Sequence, residues 1–366
     1  MRKGPFIPFS PVLLAIALAG MHLGSAKADT AAAAANPWNL SALLDIDSMI
    51  NLSGVRGSES SAQAQWDGSF DTSKANWWQG GLVEFSLEGV RVSGTASGGS
   101  GAVQVPDNEW APNFLRVYQL TYKQDFGGAS VRAGIMDLNQ YFEASDQANL
   151  LHNSSFGMSP DFMANFNAPS FPNPGLGMMG EVHMGAAWQA RAGVWQGNPP
   201  RMAGALDHGA LVIGEVERDW SVAGQDAPLS DIKLGAWRND RSQAAIGSGL
   251  SGAYLVGETR WKVGSQQWGG FVMAGTSSQQ SAHVTQFLGA GFLLMGPFAS
   301  RPWDQCSIGL ARINLRGLQP EAVVEAVYSV QLTPALALQP DLQHFWNPGG
   351  LNSEAWLAGA RLHLTF

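Results

Sequence analysis

From Glu321 to Leu332 the chain alternates with a period of two. Ala322, Val324, Ala326, Tyr328, Val330 and Leu332 share one face, and Glu321, Glu325, Ser329 and Gln331 share the other. After a Thr333-Pro334 turn, Leu338, Pro340 and Leu342 oppose Gln339, Asp341 and Gln343. After a second turn at Asn347-Pro348-Gly349-Gly350, Trp356, Ala358, Ala360, Leu362, Leu364 and the terminal Phe366 oppose Arg361, His363 and Thr365. Successive strand side chains point to opposite faces, so the pattern predicts three antiparallel strands, each long enough to cross a bilayer at a tilt. A soluble sandwich alternates as well, but its polar face meets solvent and is dense in Lys and Glu. Here that face is sparse and mixed in sign. The expectation is therefore an all-β fold, a transmembrane antiparallel β-barrel with its apolar side to lipid and a wet bore inside.

The same period predicts further strands near Leu40–Gly54, Glu59–Ser69, Gly81–Gly94, Phe114–Phe126, Ser130–Asp137, Leu176–Met184 and Ala187–Gln196. It continues at His208–Asp219, Asp231–Trp237, Gly252–Val263, Gln267–Thr276, Thr285–Met295 and Asp304–Leu315. The total is roughly 16, an even number as single-chain barrels require. Gly127-Gly128, Gly185-Ala186, Gly264-Ser265 and Thr333-Pro334 are short connections, whereas Thr95–Asn113, Leu138–Gly175, Asn239–Ser251 and Ser277–Val284 are long. With a periplasmic C-terminus every short turn falls on the periplasmic side, as in barrels of this kind. Leu138 to Gly175 lacks strand pattern and carries Phe142, Phe156, Phe162, Phe166 and Phe171. Five aromatic rings need burial. Folding the loop into the bore and narrowing it is the simplest solution; packing on the rim or on another subunit is the alternative.

Composition agrees. Charged residues are 14% of the chain, against roughly 25% in soluble domains, and no run after the leader is long enough for a spanning helix. Arg2 and Lys3, the apolar Pro11–Gly20 and the small-x-small Ala26-Lys27-Ala28 read as a cleaved signal peptide over residues 1–28. Residues 29–39 then form a leader, and 40–366 the barrel with its infolded loop 138–175. Cleavage removes Arg2, Lys3 and Lys27 and no acid, so the net charge of −8 falls by three, which argues against a nucleic-acid partner. Cys306 is alone and cannot form an intrachain disulfide.

Catalytic signatures are wanting. Gly175-Leu-Gly-Met-Met-Gly180 fits the dinucleotide fingerprint but enters a strand instead of opening a helix. The seven histidines are dispersed; His183 and His363 read as wall residues, and no metal or cofactor is expected. Glu321 with Glu325, and Glu84 with Glu88, are about 13 Å apart from the rise of a strand, too far for glycoside hydrolysis. The inward faces mix both signs with aromatic residues: Arg132, Glu181, Arg191, Trp195, Lys233 beside Asp231, Trp237, Glu258, Arg260, Glu325, Asp341 and Arg361. Charged donors and acceptors suit hydroxyls and aromatic faces suit sugar C–H faces, whereas an ion-selective pore favours one sign. The plainer reading is that mixed charge keeps the bore wet. Trp188, Trp261, Trp346 and Trp356 fall on lipid faces near strand ends, as girdle residues do.

Several segments resemble one family, the carbohydrate-selective porins of the OprB type. They are the closing hairpin Glu321–Gly350, the stretch Gly291–Asp304 with Gly296-Pro297-Phe298 and Arg301-Pro302, the loop motif Asn153-Ser-Ser-Phe-Gly157, and Gly193-Val-Trp-Gln-Gly197. The likeness runs from about Gly80 to Phe366. It implies a 16-stranded outer-membrane barrel of a Gram-negative cell, constricted by the Asn153- and Phe156-bearing loop and passing glucose-like sugars passively to the periplasm. A general diffusion porin, a barrel enzyme and a plugged adhesive barrel are the alternatives. Expected partners are small neutral sugars, outer-membrane lipid and, through Phe366, the outer-membrane assembly machinery; a homo-oligomer is compatible, with no interface legible.

Overall fold

The computed structural model describes residues 36–53, 57–94, 100–199, 209–220, 230–240, 249–278, 282–351 and 353–366. The expected signal peptide and most of the expected leader lie outside these. The strands are β1 (Trp38–Asn51), β2 (Ser58–Asp71), β3 (Gly81–Gly94), β4 (Phe114–Asp125), β5 (Ala129–Met136), β6 (Gly175–His183), β7 (Trp188–Gln196) and β8 (Ala210–Asp219). They continue as β9 (Ser230–Asn239), β10 (Leu250–Val263), β11 (Gln266–Ser277), β12 (Val284–Met295), β13 (Gln305–Leu315), β14 (Glu321–Thr333), β15 (Leu336–Trp346) and β16 (Glu354–Thr365). Each pairs antiparallel with its sequence neighbours, and β16 returns to β1 to close the barrel. At the seam Ala42 N donates to Phe366 O at 3.1 Å and Phe366 N donates to Ala42 O at 2.9 Å. Closure removes every free strand edge, the one sheet arrangement that hydrocarbon tolerates.

The alternation seen in the sequence is the alternation of the wall. On β12 and β13, Leu288, Phe292, Ile308 and Leu310 are exposed outward, while Phe287, Leu293, Ala311 and Ile313 are buried inward. Aromatic residues gather where the outer face ends. Trp38, Trp77, Trp78, Trp188, Trp220 and Trp303 are exposed near the rim that holds the C-terminus. There Trp78 Nε1 donates to the Tyr122 hydroxyl at 2.9 Å, and Trp261 stacks on Trp268 with centroids 6.4 Å apart. Trp346 and Trp356 flank His344 near the opposite rim.

The predicted strands correspond one to one with those observed, with ends displaced by a few residues. β1 begins at Trp38, inside the expected leader, because its partner β2 continues to Asp71 and pairs Phe70 with Trp38. His208, the expected start of β8, and Gly54 lie outside the described residues. The rule of short turns at the C-terminal rim is not strict, since 72–80 and 296–304 are longer there and 316–320 is short at the opposite rim. Gly175–Gly180 lies within β6, so no helix offers its N-terminus to a phosphate. β4 carries a bulge: Ser86 pairs with Gln119 and Leu87 with Val117, leaving Tyr118 unpaired. Such an insertion re-aims side chains, and here both Tyr118 and Gln119 are buried.

Candidate functional site

The loop 137–174 lies inside the barrel. Short capped turns give it shape: Asp137 accepts from Asn139 N at 2.9 Å to open the turn Leu138–Gln140, and Asn153 accepts from Ser155 N at 3.1 Å to open Ser154–Phe156. Asx caps satisfy amides that no regular element pairs. A single helical turn, α1 (Pro160–Met163), starts on a proline. Its aromatic residues then dock on the wall. Phe142 meets Trp195 edge-on at 5.7 Å, Phe156 meets Phe271 at 5.8 Å, and Phe162 meets Trp237 at 4.7 Å and Phe166 at 5.1 Å. Small inward residues make the recess. A Cβ on Gly309 would stand 2.6 Å from Leu151 and from the Phe156 ring, and one on Gly275 would collide with the Asp161 carboxylate.

Polar wall residues anchor the rest, because backbone amides carried into the bore must find partners. Glu215 accepts from Glu143 N at 3.0 Å, and Glu258 accepts from Ser145 Oγ at 2.6 Å and Gln147 N at 3.1 Å. Lys233 Nζ donates to Ala144 O at 2.8 Å and Arg191 Nη1 to Tyr141 O at 2.7 Å. Glu325 accepts from His152 N at 2.6 Å and Asn153 N at 3.0 Å. The neighbouring loop 100–113 is held likewise: Glu321 accepts from Val103 N at 2.9 Å and Gln104 N at 2.8 Å. Arg361 reaches Asp47 at 2.8 Å, Asp107 at 3.3 Å and Glu109 at 2.9 Å.

All the wall residues singled out in the sequence point inward, but their surroundings separate them. Trp195, Trp237, Glu258, Glu325, Asp341 and Arg361 are buried beneath the loops, and Asn153 and Phe156 are buried within one. They therefore differ from the expected wet lining: the two tryptophans pack edge-on against phenylalanines instead of facing the bore, and the charges hold loop backbone. Arg132, Glu181, Arg191, Lys233 and Arg260 remain half-buried. Arg132 pairs with Glu84, donates to Thr121 Oγ1 at 3.1 Å and lies 5.1 Å over the Tyr141 ring.

The loops cover the wall from β6 to β16, and the space they leave toward the C-terminal rim lies along β1 to β4. A chamber of about 280 Å³ nearer the C-terminal rim is lined by Asn39, Gln65, Asp67, Glu84, Gln119, Thr121, Gln140 and Tyr141. A second, of about 340 Å³, lies between the two loops and is lined by Asp107, Asn108, Trp110, Asn139, Ser154 and Phe171. Asn139 faces the outer chamber, and Gln140 and Tyr141 the inner one, so the turn Leu138–Gln140 divides them. The inner lining escaped the sequence reading, which followed charge beside aromatic residues. The signal available was the polar period of β2: Gln63, Gln65, Asp67 and Ser69.

Burial on α1 pushes the Asp161 carboxyl up from 3.8 to about 7, and burial together with Asp161 and Glu215 pushes Glu143 well up. A carboxyl raised on docking is neutral in the docked loop while already charged in the free one, so docking is favoured in acid. That advantage drains away as pH rises from about 4 through about 7. Single-channel conductance should therefore climb across this window, and Asp161→Asn should flatten the climb; an unchanged profile in the variant would remove Asp161 as the cause.

A family model described as the carbohydrate-selective porin, OprB family, matches residues 17–366, so the likeness extends well before Gly80. No curated protein sequence matches. Among solved structures, the high-pH form of Pseudomonas putida OprB superposes with a TM-score of 0.79 at 18% identity, covering 90% of this chain and 94% of that one. The trimer form of Vibrio cholerae OmpT gives 0.55 at 9%, covering 90% and 99%. A mutant of the Rh. blastica porin gives 0.52 at 12%, covering 90% and 100%. At these identities the superpositions establish the barrel fold.

Proposed function

The chain belongs to the carbohydrate-selective porins of the OprB family, and from that premise we propose a route for sugar along the β1–β4 side of the bore. The protein is a sugar-preferring porin of the outer membrane, a channel and not an enzyme. On the proposed route a glucose-like sugar enters the outer chamber between the loops, passes the turn Leu138–Gln140 and reaches the inner chamber beside Tyr141. The observation that carries this reading is the mainly polar lining of the inner chamber, which that turn separates from a more apolar outer one carrying Asp107, Asn108, Asn139 and Ser154. In the inner one, Gln65, Asp67, Glu84, Gln119 and Thr121 offer carboxamide, carboxylate and hydroxyl partners for ring hydroxyls leaving water, while Tyr141 offers an aromatic face. Each exchanged hydrogen bond is worth only about 0.5–1.5 kcal/mol net, and weak, repeated binding suits a pore that must also release its solute. The half-buried Arg132, Glu181, Arg191, Lys233 and Arg260 would set the field of the bore; the buried clamps act through loop position.

The same proposal sets the C-terminal rim in the periplasm. It has residues 1–28 removed on export, Phe366 read by the assembly machinery, and lipid around the outer face, supported by the aromatic belts. Association of copies is included, supported by the trimer form of the OmpT neighbour.

Liposome swelling with glucose against an amino acid of similar size tests the route. The wild type should favour glucose; with stacking at about 0.5–1.5 kcal/mol, Tyr141→Ala should lower the glucose-to-amino-acid ratio by about two- to tenfold. Equal wild-type rates would leave a general diffusion porin, and an unchanged ratio in the variant would move the route away from Tyr141.

A further inference from the structure

We infer that the buried corner formed by His152, Glu325 and Asp341 is a divalent-metal site of the Zn2+ class, which fastens the infolded loop to β14 and β15. His152 comes from the loop, Glu325 from β14 and Asp341 from β15. One ligand atom from each lies within 4.8 Å of the other two. The side chains of His152 and Asp341 are 1% exposed, and Glu325 is equally enclosed.

One polar atom in this corner is unexplained by the protein alone. His152 Nδ1 reaches no hydrogen-bond partner among the described residues, and leaving such an atom buried and unpaired is costly; the Asp341 and Glu325 carboxyls beside it face one another. The imidazole is already oriented as a ligand. Gln339 Oε1 lies 3.0 Å from Nε2 and can only accept, so Nε2 carries the proton and Nδ1 presents its lone pair to the carboxylates. An outer oxygen that fixes the tautomer in this way is the usual companion of a metal-bound histidine. Glu325 is held in place by the amides of His152 and Asn153, and Asp341 Oδ2 accepts from Gln343 Nε2 at 2.8 Å. Both carboxylates keep oxygen lone pairs to give.

A proton on Nδ1 is the competing explanation, and the spacing disfavours it. Nδ1 and Asp341 Oδ2 are 3.9 Å apart, whereas a charge-assisted N–H···O contact closes to about 2.7–2.9 Å. Two ligands on one tetrahedral Zn2+, each about 2.0–2.1 Å from it, stand roughly 3.4 Å apart. A small rotation of either side chain reaches that value. One imidazole with two carboxylates is the borderline donor set that Zn2+ accepts; without a thiolate it does not select Cu(I), and with an imidazole it departs from the all-oxygen shells of Mg2+ and Ca2+. The fourth position is open to water. Asn153 Nδ2 donates to Gln104 O at 3.3 Å and to Gln343 Oε1 at 3.1 Å, so the same corner would lock both loops. This inference stands apart from the sugar route and survives if sugar preference fails.

The test uses untagged full-length protein in detergent, stripped with a chelator and titrated with Zn2+. The wild type should take up one Zn2+ per chain, with an absorption spectrum at the zinc edge showing nitrogen and oxygen neighbours and no sulfur. It should also need a higher temperature to unfold, read by the heat-dependent mobility shift on a gel. His152→Gln and Asp341→Asn should each weaken binding by more than the roughly 10- to 100-fold that loss of an outer partner costs, and should abolish the Zn2+-dependent shift. Should a variant fail to fold, the wild-type stoichiometry and spectrum decide alone. No stoichiometric Zn2+ in the wild type, or equal binding by a folded His152→Gln variant, overturns the site.

Discussion

Phe162→Ala is expected to raise single-channel conductance and abolish sugar preference while the barrel stays folded. Phe162 is fully buried between Trp237 and Phe166, at the one helical turn of the infolded loop. Truncating a buried phenylalanine costs about 3–5 kcal/mol. That loss falls on docking of the loop and not on the wall, because the sixteen strands are paired through backbone around a closed circuit that does not involve α1. Local elements open with their own free energies, and a penalty of this size shifts the ratio of docked to free loop by roughly two to four orders of magnitude. A planar bilayer reads the conductance, and the heat-dependent gel shift reads the integrity of the barrel. If conductance is unchanged in a folded variant, the loop does not limit flux and the chambers beside it are not the route.

How far the sequence reveals this molecule depends on which contacts decide each feature. β14 to β16 were legible because their outward residues are uniformly apolar and their inward ones polar, so one strand carries its own orientation. β1 and β2 were faint because the outward Ser48, Ser60, Ala62 and Ala64 give little contrast with the polar side. The burial of the loop followed from its five phenylalanines. What the sequence could not reveal was which inward charges stay wet. Glu258 and Glu325 look alike on their strands as bore-lining acids, yet each is covered by a loop amide more than a hundred residues away. Trp195 and Trp237 likewise resemble sugar platforms until Phe142 and Phe162 are placed on them. The His152–Glu325–Asp341 corner leaves no spacing signal, since its members meet only through the infolding of the loop. Local pattern sets the faces; long-range docking selects the site from among them.

Asp137→Ala is expected to widen the passage between the chambers without dislodging the aromatic plug. Asp137 follows β5 and ties the neck of the loop, accepting from Tyr118 Oη at 2.5 Å and Ser170 Oγ at 2.6 Å while capping Asn139 N at 2.9 Å. Leu138 N completes the neck on Pro169 O at 2.8 Å. Tyr118 can reach this carboxylate because the bulge in β4 turns it inward. Removing the carboxylate leaves a phenol and a hydroxyl buried without this acceptor, at about 1–3 kcal/mol each. The strain lies beside the turn Leu138–Gln140 that divides the bore, whereas Phe142, Phe156 and Phe162 dock farther along. Swelling assays with a monosaccharide and a disaccharide separate the cases: the variant should gain more for the larger sugar, and Asp137→Asn, which keeps one acceptor oxygen, should fall between variant and wild type. Equal gains for both sugars would point to release of the whole loop, and no gain would place the narrowest point of the route elsewhere.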